Sequence, residues 1–367
     1  MSIDMSVDEK VELILNTFEE IVGEDELREL FRKFEVGKIT EIRAYDGFEP
    51  SGQIHIAQGL MRAIQVNKLT SCGITFIFWV ADYFAWLNNK YGGDLEKIQT
   101  CGKYLIEVWK SCGMDLEKVE FRWTSKDLEN NPKYWENFLK LSTHPTVSRV
   151  LRCGQIMGRE ESTENPTSQI VYPLMQANDI HHLRADIAQL GLDQRKVNML
   201  ARDIYPKMGW AKPIVISHHM LLGLQKIDTE KEGNDRKIEM KMSKSKPNTA
   251  IFMTDSKEDV EKKFKKAHSI DGVVEDNPVL EYFKYIVFER FDEVQIERPE
   301  KFGGLYKASS YDQLINDFKE QTIKSLDLKM MCANYINELL EPTRKHFEEN
   351  AKAKELLQKV QSFAITR

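Results

Sequence analysis

Three stretches of this 367-residue chain carry residue types that can handle anions and small polar groups. The first is Gly47-Phe48-Glu49-Pro50-Ser51-Gly52-Gln53-Ile54-His55-Ile56-Ala57-Gln58-Gly59. Its glycines and proline force a tight turn, and the helix expected to open there presents unpaired N–H groups and a partial positive end, which together suit an anion. His55 is expected in the first turn of that helix, aimed at phosphates, although capping or packing would use the same residue. The second is Lys241-Met242-Ser243-Lys244-Ser245-Lys246. Lysines flanked by small hydroxyl residues can close on a triphosphate and strengthen as charge builds on a leaving pyrophosphate. A solvated basic loop has the same composition. The third covers 172–179 and 191–196. On a helix Tyr172, Gln176 and Asp179 stand at i, i+4 and i+7 and share one face. A phenol, an amide and a carboxylate need partners if buried, and Val171, Leu174 and Met175 beside them argue for burial over a solvent-facing stripe.

In this order, the first two stretches resemble the HIGH and KMSKS signatures of class I aminoacyl-tRNA synthetases. The second match is complete, whereas the first reads His55-Ile56-Ala57-Gln58. Ala57 adds a methyl where adenine would approach the backbone, and Gln58 keeps a hydrogen-bonding group without the charge of a second histidine. The third stretch, with 45–52 and 298–304 (RPEKFGG), is similar to the tyrosyl-tRNA synthetases of the archaeal and eukaryotic type, and the likeness runs over nearly the whole chain.

That resemblance implies activation of L-tyrosine with ATP to tyrosyl-adenylate and pyrophosphate, then transfer of tyrosine to the 3′ end of tRNA(Tyr). By position it assigns Tyr45 and Asp179 to the substrate phenol, and Tyr172, Gln176 and Gln194 to its ammonium group. His55 and Gln58 are assigned to the phosphates, Lys241, Ser243 and Lys244 to a mobile catalytic loop, and Gly52, Gly191 and Asp193 to the nucleotide pocket. Phe302 and Asp327 match the positions that read the first anticodon base, where a core aromatic and a helix cap are the ordinary alternatives. Magnesium is expected to accompany ATP, with no tightly bound cofactor and no protein cage for a metal. The resemblance also implies a homodimer formed through a connective insertion. A tryptophanyl-tRNA synthetase, a nucleotidyltransferase on the same scaffold and a non-catalytic RNA-binding relative are the rival readings; Tyr45 and Asp179 favour a phenol over an indole.

Positioning these groups falls to alternating elements. Strands are expected at 42–45, 74–81, 119–123, 187–190 and 213–217, with helices at 56–69, 98–112 and 194–205. Alternation of this kind implies an α/β fold, a doubly wound, Rossmann-like parallel sheet whose ligands sit at the carboxyl ends of the strands. Ahead of it, Val11, Ile14, Leu15, Phe18, Ile21 and Val22 follow a helical period closed by Gly23, and Leu27, Leu30, Phe31 and Phe34 follow a second. The expected organisation is therefore N-terminal helices over 1–40 and a catalytic domain over 41–250, then a helical anticodon-binding domain over 251–367. The catalytic part carries an insertion at 125–169, whose polar 159–168 reads as a loop, and a second polar loop at 226–248. No strands are expected beyond 277, where helices fill 311–318, 326–347 and 351–363.

Fifty-two basic and 58 acidic residues give a net charge of −6, so contact with a polyanion must use local patches. Lys262, Lys263, Lys265 and Lys266, and Arg344 with Lys345, are the candidates. Cys72, Cys101, Cys112, Cys153 and Cys332 lack zinc-site spacing and read as reduced thiols of a cytosolic protein. The N-terminus lacks the pattern of a signal peptide, and the longest apolar run, 74–81, is too short to span a membrane. A cytoplasmic protein without membrane contact is expected.

Overall fold

A computed structural model describes residues 5–154, 166–226, 232, 236, 240–244 and 246–363. Six strands form one sheet: β1 (Glu20–Val22), β2 (Ile42–Phe48), β3 (Ile74–Val80), β4 (Val119–Trp123), β5 (Ile187–Gly191) and β6 (Ile214–His218), in the order β1-β6-β5-β2-β3-β4. Strands β2 to β6 run parallel, and β1 adds an antiparallel edge on β6. All five expected strands are present, with β2 running three residues further than expected, to Phe48.

Side chains of β3 alternate between two cores, as the period of an extended chain requires. Phe76 and Phe78 join Phe48 and Trp109 on one face, whereas Ile77 and Trp79 join Tyr45, Tyr134 and Met175 on the other. Because both faces are covered, β3 reads as an unbroken apolar run. The strand order reverses between β2 and β5, so their outgoing connections diverge and leave a crevice at the carboxyl ends.

Three expectations need correction. The first N-terminal helix stops at Thr17, with the Phe18 N–H closing on the Ile14 carbonyl, and Ile21 and Val22 belong to β1. Unpaired backbone groups on the edge of β6 override a helical period that only two residues extend. Gly23, at φ 100°, starts the second helix, Glu24–Glu35, instead of ending the first. Next, the helix after β2 begins at Leu60, so His55 precedes it instead of lying in its first turn. The segment 54–56 is held as a short ladder: Ile56 N–H donates to the Ile251 carbonyl and Met253 N–H to the Ile54 carbonyl. Gly59 is needed at that crossing, since a Cβ there would stand 2.3 Å from Met253 Sδ. Finally, two short strands, β7 (Val294–Ile296) and β8 (Tyr306–Ala308), pair antiparallel beyond 277. Three residues each are too few to show a period against the surrounding helices.

The C-terminal helices Ser325–Glu349 and Ala351–Ser362 pack against the helix Leu95–Ser111. His346 and Glu107 meet at 2.9 Å, and the rings of Tyr104 and Phe347 lie 5.5 Å apart. Two candidate phosphate-binding cations are used internally here. Lys263 donates to the Ala250 carbonyl and to Asp255, and Arg344 donates to the Asp255 and Asn337 carbonyls. Lys263 ties 250–255 to the helix Lys257–Lys266 and Arg344 ties it to the C-terminal helix Ser325–Glu349, so neither is a free cation on a surface patch. Within the insertion lie the helices Thr124–Leu128, Pro132–Ser142 and Val147–Gly154. Of the expected loop at 159–168, residues 159–165 fall outside the described residues, as does Ser245. All five cysteines are buried free thiols. Among the described residues no helix is long and apolar enough to cross a membrane.

Candidate active site

The crevice at the carboxyl ends of β2, β3, β5 and β6 holds a cavity of about 400 Å³. Tyr45, His55, Gln58, Tyr172, Gln176, Asp179, Gly191, Asp193, Gln194, Lys241, Ser243 and Lys244 all line it. Residues up to 199 positions apart, Tyr45 and Lys244, thus share one wall system, which the fold brings about by ending β2, β5 and β6 side by side. Gly52 is not on the wall. Its N–H donates to the Tyr91 hydroxyl at 2.5 Å and its carbonyl accepts from Cys101, so it shapes the turn from behind at φ 91°.

One end of the cavity is built for a neutral hydroxyl. Tyr45 points from β2 with a buried hydroxyl that has no hydrogen-bond partner among the described residues. Asp179, on the helix Ser168–His182, accepts from the Trp79 indole N–H at 2.8 Å and the Tyr134 hydroxyl at 2.6 Å. Burial pushes the Asp179 carboxyl up to about 7, against the pull of those two donors.

Beside it is a group of acceptors. Tyr172 donates its hydroxyl to Glu49 at 2.5 Å, and Asn88 donates to the same oxygen at 2.6 Å. Gln176 gives its amide N–H to Gln194 Oε1 at 3.2 Å, and Gln176 Oε1 is buried without a donor among the described residues. An orphaned carbonyl next to a phenol oxygen and a buried carboxylate suits a small ammonium group. Burial raises the Glu49 carboxyl above its ordinary range.

The far end is cationic. His55 is buried, with Nδ1 unpartnered among the described residues, and burial plus the charges of Lys244 and Lys241 hold its pKa well below the usual imidazole value. It therefore meets a ligand as a neutral imidazole. Gln58 likewise has a buried Oε1 without a partner among the described residues. Lys241 pairs with Asp193, and its backbone bridges to Leu222 while Met242 N–H donates to the Leu221 carbonyl at 2.7 Å. The lysine segment is thus docked onto the loop that leaves β6. Burial lowers the pKa of Lys244, which sits among Cys101, Lys90 and Glu49.

Several functional groups have no signal at the level of sequence. Trp79 and Tyr134 look like core aromatics, and only Glu49, inside the quoted turn, had a position that marked it. Lys90 lines the same cavity from a turn in which Asn89 and Tyr91 adopt left-handed backbone. On the cavity wall, Asp46 and Arg62 form a buried pair at 2.8 Å, and Arg62 donates to Gln189 and Gln65. Burial pushes the Asp46 carboxyl up to about 7. Phe302 and Asp327 stand apart from the cavity's wall residues. Phe302 is 60% exposed on the turn before β8, and Asp327 lies 3.9 Å from Arg298. Among the described residues no group of three or more His, Cys, Asp or Glu side chains is placed to hold a metal ion.

Comparison with known proteins identifies the family of the chain. Residues 38–341 match the family described as tRNA synthetases class I (W and Y). The cytoplasmic tyrosine–tRNA ligase 1 of Arabidopsis thaliana is 45% identical over 366 residues, which is 98% of this chain and 90% of that protein. Tyrosyl-tRNA synthetase of Pyrococcus horikoshii, solved with L-tyrosine, superposes with a TM-score of 0.88 at 35% identity, covering 96% of this chain and all of that one. The Leishmania major enzyme in complex with tyrosinol gives a TM-score of 0.85 at 42% identity; the match covers 98% of this chain but only 61% of that longer one.

Proposed function

The chain belongs to the tyrosyl-tRNA synthetases of the archaeal and eukaryotic type and is an ATP-dependent tyrosine–tRNA ligase, and from that premise we propose which of its residues perform the reaction. One observation carries the assignment: among the described residues, one cavity has unpaired hydroxyl and carbonyl groups at one end and lysines beside an unpaired imidazole nitrogen at the other.

L-Tyrosine enters with its phenol between Tyr45 and Asp179. Its hydroxyl donates to the Asp179 carboxylate and accepts from Tyr45, whereas phenylalanine would leave both unpaired in a dry site, where an unmet polar group is costly. The ammonium group donates to Gln176 Oε1 and the Tyr172 oxygen, with Gln194 and Glu49 completing the set. The tyrosine carboxylate then attacks the α-phosphorus of ATP, forming the acyl–phosphate bond while the bond to pyrophosphate breaks. No side chain becomes a covalent intermediate. The protein supplies alignment, and charge stabilisation where the pyrophosphate develops. Lys244, the imidazole N–H of His55 and the Gln58 amide face that charge, and Ser243 lies between the two lysines of the docked segment. Lys241 reaches the phosphates when it leaves Asp193, whose carboxylate is then free for the ribose hydroxyls beside Gly191. Magnesium, carried in on the triphosphate, neutralises part of its charge. In the second step the 3′-terminal hydroxyl of tRNA(Tyr) attacks the tyrosyl carbonyl and AMP leaves.

For the RNA we propose a division into 1–40, 41–250 and 251–367, the last reading the anticodon. Support comes from the exposed ring of Phe302, which offers a stacking face, and from Asp327, which can accept from a guanine edge. A homodimer through the insertion is favoured by Trp135, Leu139 and Val147, apolar residues exposed on its helices. A cytoplasmic location is favoured by the buried free thiols and by the cytoplasmic plant relative. ATP–pyrophosphate exchange across the twenty amino acids, followed by charging of a tRNA pool, tests these assignments. Exchange driven by tyrosine alone and lost in Asp179→Ala supports the pocket; undiminished selectivity in that variant removes Asp179 from it.

A further inference from the structure

Asp179 forms no ion pair with any described residue. Its two oxygens are instead taken by two neutral donors, one each: the Trp79 indole N–H on Oδ2 at 2.8 Å and the Tyr134 hydroxyl on Oδ1 at 2.6 Å. Both donors are buried, and both come from elements other than the helix that carries Asp179. Trp79 stands near the end of β3 and forms part of the cavity wall. Tyr134 lies on the insertion helix Pro132–Ser142, with its ring edge-on to His182 at 5.3 Å and its carbonyl accepting from Asn178 at 3.1 Å. A donor on each oxygen fixes the plane of the carboxylate and leaves one acceptor position per oxygen.

We propose that Trp79 and Tyr134 are specificity-determining positioning residues, whose N–H and O–H hold Asp179 as an oriented, ionised acceptor and so make the enzyme select a ring that bears a hydroxyl donor. The inference rests on the placement of the substrate phenol at Asp179. A carboxylate in a dry site keeps its charge only while donors stabilise it, and burial already pushes this one up to about 7. With one donor gone it protonates at higher pH and becomes a donor itself, which repels the phenol proton it has to accept. The other groups facing it are His182 on its own helix, Asp127 and Arg122, which pair with each other beyond His182, and the phenols of Tyr45, Tyr172 and Tyr205. Trp79→Phe also changes the ring that faces His182 at 6.0 Å and Arg122 at 5.9 Å, whereas Tyr134→Phe keeps its ring on His182 and removes only the hydroxyl, so a moved pH profile in Tyr134→Phe reports the lost donor.

The test is ATP–pyrophosphate exchange by full-length Trp79→Phe and Tyr134→Phe, with tyrosine and with phenylalanine, between pH 5.5 and 9. Each substitution is expected to lower kcat/KM for tyrosine about tenfold at pH 7, the scale of a lost hydrogen bond to a charged group. KM for ATP stays within about twofold, the preference for tyrosine over phenylalanine narrows, and the acid limb of kcat/KM for tyrosine moves up by about one pH unit. Partial recovery at pH 9 marks re-ionised Asp179, which a merely structural defect would not show. Tyr134→Phe removes a single oxygen, so it serves if Trp79→Phe fails to fold. An unmoved acid limb and unchanged selectivity in both variants overturn the inference. If Asp179→Asn nevertheless loses the preference for tyrosine, the phenol site itself stands; if it too keeps that preference, the phenol site falls.

Discussion

Asp179→Asn separates what this carboxylate does to stability from what it does for tyrosine. Burial raises its pKa from 3.8 to about 7, so above neutral pH the ligand-free protein holds an anion it stabilises poorly. Because the folded value exceeds the unfolded one, the native state binds more protons between them, and stability falls as pH rises through that window. Over that shift the native-state cost is on the order of 2 kcal/mol at pH 5 and about 4 kcal/mol at pH 8.5. Asparagine removes this cost at both pH values. It also introduces one: its single carbonyl oxygen cannot serve both Trp79 and Tyr134, and an unmet buried donor costs about 1–3 kcal/mol. The variant is thus expected to be slightly less stable than the parent at pH 5 and more stable at pH 8.5. The difference moves in its favour by about 2 to 3 kcal/mol. Urea unfolding of both proteins without tyrosine, at the two pH values, measures this directly, and exchange assays on the same samples should show the tyrosine preference lost. A stability difference that does not vary with pH would refute the reasoning, because Asp179 would then not titrate as a buried group.

The remaining predictions concern other parts of the molecule. Lys244→Ala is expected to slow adenylate formation on the order of a hundredfold while changing KM for tyrosine less than about twofold, since its partner charge appears in the transition state; single-turnover kinetics showing the reverse would take Lys244 out of the reaction. His219 lies 3.2 Å from both Glu19 and Glu281 and stacks on Tyr285 at 4.2 Å. Burial opposes its charge, but hydrogen bonds and charges from those two glutamates prevail and raise its pKa from 6.5 to about 9. That stabilisation is complete below pH 6.5 and is lost as pH rises through 9, on the order of 3 kcal/mol between pH 6 and 10. His219→Gln should flatten this part of the stability profile, and an unchanged profile would mean the clamp is absent in solution. Phe302→Ala should raise KM for tRNA about tenfold, the scale of one stacked base, and leave pyrophosphate exchange intact. A loss of exchange would show instead that the ring is structural.

How far the chain could be read without its fold follows the range of the interactions. The run Ile74–Val80 announces a strand by its short stretch of β-branched and aromatic residues, and its amphipathic neighbours announce helices because a period of 3.6 is written in nearby residues. Lys241 and Lys244 beside Ser243, and the face of Tyr172, Gln176 and Asp179, are legible for the same reason. The failures occur where backbone pairing with a distant segment outcompetes a local pattern. Ile21 and Val22 leave their helical period for the edge of β6, and His55 is drawn out of its helix by the bridge to Phe252. Lys263 and Arg344 look like any surface cations, yet carbonyls in or close to 250–255 hold them.

The sequence by itself determined the chemistry available: a turn that welcomes phosphate, lysines on a polar segment, and a phenol, amide and carboxylate in helical register. Only the tertiary structure decided the state in which each group works. Trp79 and Asp179 are 100 positions apart and Tyr172 and Glu49 are 123 apart, so no local pattern marks either pair. The same holds for Lys241 and Asp193, whose pairing decides whether that lysine faces its own protein or the nucleotide. Burial, which raises Asp179 and lowers His55, is likewise a property of the packed molecule, because the loss of water around a charge depends on every element that closes over it.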